Sequence, residues 1–136
     1  MPFVIDSSIA LAWLLPDERS PAVDALADRL AAERPVAPPI WLLEVANALL
    51  TARRRDRLAD RDVDRLLDIV AALPVELDAE PTHHSLAEVV SLAREHRLTT
   101  YDAAYVELAR RRRLPLATLD TRLAEACRKA GVAVLP

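Results

Sequence analysis

The stretch Phe3–Leu15, "FVIDSSIALAWLL", is apolar except for Asp6, Ser7 and Ser8. Its first three residues have the length and side chains of a buried strand, and residues 7–14 read as a helix. Asp6 stands at the junction. Strands disfavour aspartate and interiors accept it only when it has partners, so a carboxylate delivered by a buried strand calls for an explanation elsewhere in the chain. One bland explanation is local: Asp6, with Ser7 and Ser8, caps the helix that follows.

Outward from this stretch, the 136 residues correspond to one domain, residues 1–136, long enough to bury about two-thirds of the unfolded surface. Hydrophobic residues make up 52% and charged residues 29%, the balance of a soluble globular protein rather than a disordered one. The run Ile9–Leu15 is too short to span a bilayer, and no positive region precedes it as a signal peptide requires. The lone Cys127 excludes an internal disulfide framework, and together these features predict a cytoplasmic protein with no membrane partner.

The net charge of −3 gives no global pull toward nucleic acid. Seventeen of the eighteen basic side chains are arginine, the exception being Lys129. Guanidinium forks suit phosphate, although a GC-rich genome produces the same bias. The arginines concentrate in "ARRRDR" at 52–57 and "RRRR" at 110–113, which nominates Arg53, Arg54, Arg55, Arg110, Arg111, Arg112 and Arg113 as candidates for binding nucleic-acid phosphate. The second run cannot occupy one helix face, because successive residues rotate by about 100°.

Four segments repeat apolar residues at i, i+3, i+4 and i+7: Val23/Leu26/Ala27/Leu30, Val63/Leu66/Leu67/Val70, Leu86/Val89/Val90/Ala93 and Leu123/Ala126/Cys127/Ala130. The last places Cys127 on a core face as an inert thiol. Further helices are expected near 7–14, 40–54 and 101–112. Short apolar runs lie between the helices: "FVI" (3–5), "PVA" (35–37), "VEL" (75–77), "PLATL" (115–119) and "VAVL" (132–135). Such alternation predicts an α/β fold, with a mostly parallel central sheet of about five short strands flanked by helices. Pro35, Pro38, Pro39, Pro74, Pro81 and Pro115 fall at element edges, and Gly131 sits where a helix end needs a left-handed residue. With no other glycine, a Walker loop or dinucleotide fingerprint is excluded.

In open parallel sheets, sites form at the carboxyl ends of strands. Asp6 follows the first strand and Asp120 follows "PLATL". Glu44 and Asp102 lie in the opening turns of two helices. Separations of 38, 58 and 18 residues mean that only the tertiary fold can gather these four acids. Singly, each reads as a cap or surface acid. Glu44, however, is embedded in "PIWLLEVANALL" with Asn47 on the same face, and small residues follow Asp102. No neighbouring cation is evident in the sequence. Two carboxylates brought to 4 Å repel by roughly 4 kcal/mol in a surface-like dielectric, a sign that a divalent cation reverses. All-oxygen ligands suit Mg²⁺ or Mn²⁺, ions that activate water and neutralise phosphodiester charge.

"VIDSSIALAWLL", "WLLEVANAL", "HRLTTYDAAYVELARRRRLPLATLD" and "TRLAEACRKAGV" together resemble the PIN domain, and more narrowly the VapC-type toxin ribonucleases. The resemblance covers essentially the whole chain, in the family's order. It implies a single PIN-like domain whose four acids are Asp6, Glu44, Asp102 and Asp120, holding one or two Mg²⁺ or Mn²⁺ ions for endonucleolytic cleavage of RNA. Thr118 matches the residue that supports the last acid, Asn47 a polar neighbour of the second and Ser7 the small polar residue after the first. The resemblance also implies a homodimer and a cognate VapB-type antitoxin.

His83, His84 and His96 lack the spacing of a zinc site and read as solvated or capping. Trp13 with Leu14 and Leu15 suits either core or an interface, with a lean to the interface. A phosphoacceptor domain would need an acid such as Asp78 with a lysine near a strand end, and Lys129 lies inside a terminal helix. A PIN nuclease that processes RNA or cuts DNA would carry the same acids. An inactive PIN-like binding module would have no need of them.

Overall fold

Five two-residue strands make one parallel sheet in the computed structural model, which describes residues 1–79 and 82–136. They are β1 (Val4–Ile5), β2 (Val36–Ala37), β3 (Glu76–Leu77), β4 (Leu116–Ala117) and β5 (Val134–Leu135). The order is β3-β2-β1-β4-β5. Val4 registers with Val36 on one side and Leu116 on the other. The three inner strands are fully apolar and buried, whereas Glu76 and Leu77 on edge strand β3 are exposed. This is the α/β architecture expected from the alternating runs, and each strand lies inside the run that predicted it.

Seven α-helices connect the strands among the described residues: α1 (Ser7–Leu14), α2 (Pro21–Asp28), α3 (Ile40–Arg54), α4 (Asp60–Ala72), α5 (His83–His96), α6 (Thr100–Arg112) and α7 (Thr121–Lys129). Their starts follow from local chemistry. The side chains of Asp6, Ser20, Thr82, Thr99 and Asp120 each accept a backbone N–H from the first turn of the helix that follows. Helix α3 opens instead behind Pro38 and Pro39. Arg97 and Arg113, with left-handed backbones, close α5 and α6. Gly131, at φ +80°, makes the turn into β5 as expected.

The apolar periodicity is right in register but not in extent. Val23 and Leu26 are buried, yet α2 ends at Asp28 and Leu30 falls in a 3-10 turn, Arg29–Ala31. Leu67 and Leu86 are exposed, while Leu92 joins Val89 and Ala93 in the core. Pro81 lies outside the described residues. Trp41, Tyr105, Phe3, Ile5, Ile9, Leu49, Leu108 and Leu116 are the bulky centre, each worth about 1.5–3 kcal/mol of apolar burial. Cys127 is fully buried, as the helical face predicted, and its thiol pKa is pushed up to about 12 by desolvation. The Trp13 indole N–H donates to the Val23 carbonyl at 2.9 Å, fastening α1 to α2, and Leu15 is buried. Trp13 and Leu14 are partly buried and pack against the core. No helix among the described residues is long and apolar enough to cross a membrane.

Candidate functional site

Because all five strands run the same way, residues that follow them collect along one edge of the sheet. Asp6 leaves β1 there, only 5% exposed. Its Oδ1 accepts the Ser8 hydroxyl at 2.6 Å and the Ile9 amide at 3.3 Å, and its Oδ2 accepts the Thr118 hydroxyl. The Thr118 oxygen in turn accepts the Asp120 amide at 3.0 Å, so one side chain ties the first acid to the last. The Ser8 oxygen also accepts the Leu119 amide at 2.8 Å. Local capping and a site role for Asp6 therefore coexist. Ser7 makes no side-chain hydrogen bond among the described residues. The hydroxyl beneath Asp6 is that of Ser8, because a carboxylate that caps Ile9 folds back over the residue in between.

Glu44 is half-buried on the first half of α3, where its Oε1 accepts the Tyr105 phenol at 2.7 Å. Asp102 is half-buried in the first turn of α6, its amide capped by the Thr99 hydroxyl. Asp120 is exposed, and its Oδ1 accepts the Arg122 and Leu123 amides at 2.9 and 3.1 Å.

Burial pushes the Asp6 carboxyl above its ordinary range despite four hydrogen bonds that favour the anion. Glu44 is raised by burial and then by the negative fields of Asp102 and Asp6. Asp102 is raised by burial and by Asp120, with partial relief from Arg122. Glu44 thus feels Asp6 and Asp102, and Asp102 feels Asp120, which links all four into one electrostatic neighbourhood. Tyr105 is likewise raised by its own burial and by Glu44, so the phenol stays protonated and donates.

Among the described residues, no three His, Cys, Asp or Glu side chains converge into a ready-made metal cage. Mg²⁺ needs only one or two carboxylates directly and keeps several waters, through which further acids can act. The donors themselves are all oxygen, as hard divalent cations require. His83 and His84 are exposed at the start of α5, in keeping with the solvated reading. His96, at the far end of that helix, is instead largely enclosed, with Glu95 3.8 Å away.

Three contributors escaped the sequence reading: Ser8, Tyr105 and Arg122. Tyr105 had a usable signal, since it stands at i+3 from Asp102 on the same face of α6. Arg122, whose guanidinium also donates to the Arg97 carbonyl at 3.2 Å, supplies the nearby cation that the sequence did not reveal. Asn47, one turn beyond Glu44, is exposed, and no hydrogen bond joins the two side chains. Of the arginine candidates, Arg53 pairs with Asp60 at 2.8 Å and Asp56 at 3.8 Å. Arg111 pairs with Glu107 at 2.7 Å and with Asp78, and Arg112 pairs with Glu76 and Asp78 at 2.9 and 2.8 Å. Arg54, Arg55, Arg110 and Arg113 are exposed without an ion pair among the described residues.

The family model of the PIN domain matches residues 3–129. Ribonuclease VapC3 of Pyrobaculum aerophilum is 32% identical over 125 residues, covering 92% of this chain and 94% of that protein. Ribonuclease VapC9 of Mycobacterium tuberculosis is 34% identical over 124 residues, covering 90% and 88%. The crystal structure of VapBC2 from Rickettsia felis bound to a DNA fragment from their promoter shares the fold, with a TM-score of 0.68 over 98% of this chain and 97% of that one at 11% identity.

Proposed function

The chain belongs to the PIN-domain family, and from that premise we propose that it is a metal-dependent endoribonuclease, the toxin of a toxin–antitoxin pair. The observation that carries the reading is the quartet of acids at the carboxyl edge of the sheet, with Asp6 tied to Asp120 through the Thr118 hydroxyl and Glu44 held by Tyr105. The most buried member, Asp6, is held only by hydroxyl and amide donors. Asp6, Glu44, Asp102 and Asp120 would hold Mg²⁺ or Mn²⁺, directly or through water. The ion would supply charge neutralisation at the phosphodiester and a lowered pKa for the attacking water.

The chain's own groups do the rest. Ser8 and Thr118 orient Asp6, and the Thr118 link keeps Asp120 in step with it. Tyr105 holds Glu44 by a protonated phenol. Arg122 offers a positive group beside Asp102 for a substrate phosphate. Neither a Ser–His nor a Cys–His nucleophile is required. Relatives named VapC ribonucleases support RNA as substrate, and the VapBC2 likeness supports a VapB-type antitoxin as partner. A homodimer acting in the cytoplasm completes the proposal.

The test is cleavage of labelled single-stranded RNA and of DNA of the same sequence by wild-type and Asp6→Asn protein, each in Mn²⁺, Mg²⁺ or EDTA. Cleavage of RNA by the wild type alone, abolished by EDTA, is expected. Equal cleavage by the variant, or activity that survives EDTA, would contradict the assignment.

A further inference from the structure

Helix α3 carries more than Glu44. Asn47, Thr51 and Arg55 follow it at i+3, i+7 and i+11, and at about 100° per residue these return to nearly the same face. The stripe runs roughly 16 Å, at 1.5 Å per residue, from the acidic neighbourhood to the end of the helix. Along it lies an open groove of about 760 Å³, whose lining includes Ser7, Asn47, Thr51 and Arg55, with Asp120 from the acid quartet. The groove is therefore continuous with the proposed catalytic edge.

The charges along this groove are not equivalent. Arg57, which also lines it, is already engaged by Asp17 and Glu18 at 2.9 and 3.0 Å, so its guanidinium is spent on protein carboxylates. Arg53, two residues before Arg55, is held by Asp60. Arg55 alone faces the groove without an ion pair among the described residues. The Ser7 hydroxyl and the Asn47 amide are likewise unengaged by any side-chain hydrogen bond there. The Thr51 hydroxyl donates to the Asn47 carbonyl at 2.9 Å, so two free polar side chains and one guanidinium lead away from the carboxylates.

Resting on the nuclease reading, we propose that this groove seats the RNA backbone beyond the scissile bond, with Arg55 gripping a phosphate. The Ser7 hydroxyl and the Asn47 amide can meet phosphate and sugar oxygens, and a planar guanidinium matches a phosphate in forked geometry. Of seven arginines that the sequence nominated, the structure singles out Arg55. The grip is independent of base identity, so it positions the strand over the acids without specifying sequence.

The test is fluorescence anisotropy with a labelled single-stranded RNA in EDTA at low salt, where the probe stays intact. Wild type, Arg55→Ala, Arg55→Lys and Arg34→Ala would be compared, the last on the loop before β2 at the opposite edge of the sheet. Thermal melts establish that each variant is folded. Arg55→Ala is expected to bind roughly tenfold more weakly. Its dependence of log K on log salt should flatten by about 0.7, one phosphate contact on a single strand. Arg55→Lys should keep the salt slope, since the charge remains, but bind between wild type and Arg55→Ala, since the fork is lost, and Arg34→Ala should bind as wild type. Wild-type affinity and salt slope in Arg55→Ala would overturn the inference alone. So would unchanged RNA binding with weakened pairing to the antitoxin, which would assign the groove to the partner protein. Failure of the wild type to bind RNA would overturn the inference and the choice of substrate together.

Discussion

Two groups of acids sit along this sheet and behave in opposite ways. Beyond β3, Asp78 is as enclosed as a surface carboxylate can be, with its side chain 9% exposed, and burial alone would raise its pKa. Arg111 and Arg112 reverse that and hold it below its ordinary value. Glu107 and Glu76 complete the lattice, which fastens the end of α6 to an edge strand. Toward the site, burial acts on Asp6, Glu44 and Asp102 in the same way; hydrogen bonds offset it in part, and Arg122 is the one cation among the described residues that offers relief, to Asp102. All three stay raised. A carboxylate is thus a structural fastener where arginine meets it, and on the proposed function it takes an added cation where arginine does not.

Substitutions that remove one carboxylate from each group break the comparison most sharply. Asp6→Asn should reduce RNA cleavage by on the order of a hundredfold or more in Mn²⁺ while leaving metal-free stability unchanged or raised, read by activity and by urea denaturation. A large loss of metal-free stability would return Asp6 to a capping role only. Asp78→Asn should do the reverse. Arg111 keeps Glu107 and Arg112 keeps Glu76, so it should lose about 1 kcal/mol in urea denaturation, with cleavage per folded molecule preserved.

Acidity sharpens the contrast. The folded pKa of Asp78 lies below its usual value near 3.8, so its stabilisation is present above that value and is lost as the pH falls through the folded one. Asp6, Glu44 and Asp102 have folded values above their usual 3.8, 4.5 and 3.8, so the unfolded chain ionises first as the pH rises. They oppose folding at neutral pH, and that opposition fades as the pH falls through the folded values. Denaturation series from neutral toward pH ~4 should therefore show the stability gap between wild type and Asp6→Asn closing first. The gap between wild type and Asp78→Asn should persist until the pH nears the usual aspartate range. The smallest effect is expected from Tyr105→Phe. It should cost no more than about 1 kcal/mol, because half-buried Glu44 regains water, while cleavage falls severalfold.

Most of the fold was legible because it is written in local patterns. Short apolar runs such as "FVI", prolines at element edges and the Asp6 cap act over a few positions, and β1 to β5 fall where the runs lie. The four acids were legible as types at strand ends and helix starts. What failed depended on tertiary packing. Leu30 fits the helical repeat, yet the backbone tightens at Arg29. Ser7 and Ser8 are equivalent in sequence, and only the fold of Asp6 over Ile9 selects Ser8. Arg111 and Asp78 stand 33 residues apart, so nothing in "RRRR" revealed that two of its members fasten the sheet edge to α6. Tyr105 reads as core until its hydroxyl is seen on Glu44.

The central claim is that the unpaired group, and not the paired one, takes up a divalent cation. The most direct test is calorimetric titration of Mn²⁺ into metal-free wild type, Asp6→Asn and Asp78→Asn, with a melt at each end point. Saturable binding and a raised Tm are predicted for the wild type and Asp78→Asn, both absent in Asp6→Asn. Equal binding by Asp6→Asn, or its loss in Asp78→Asn alone, would contradict the account.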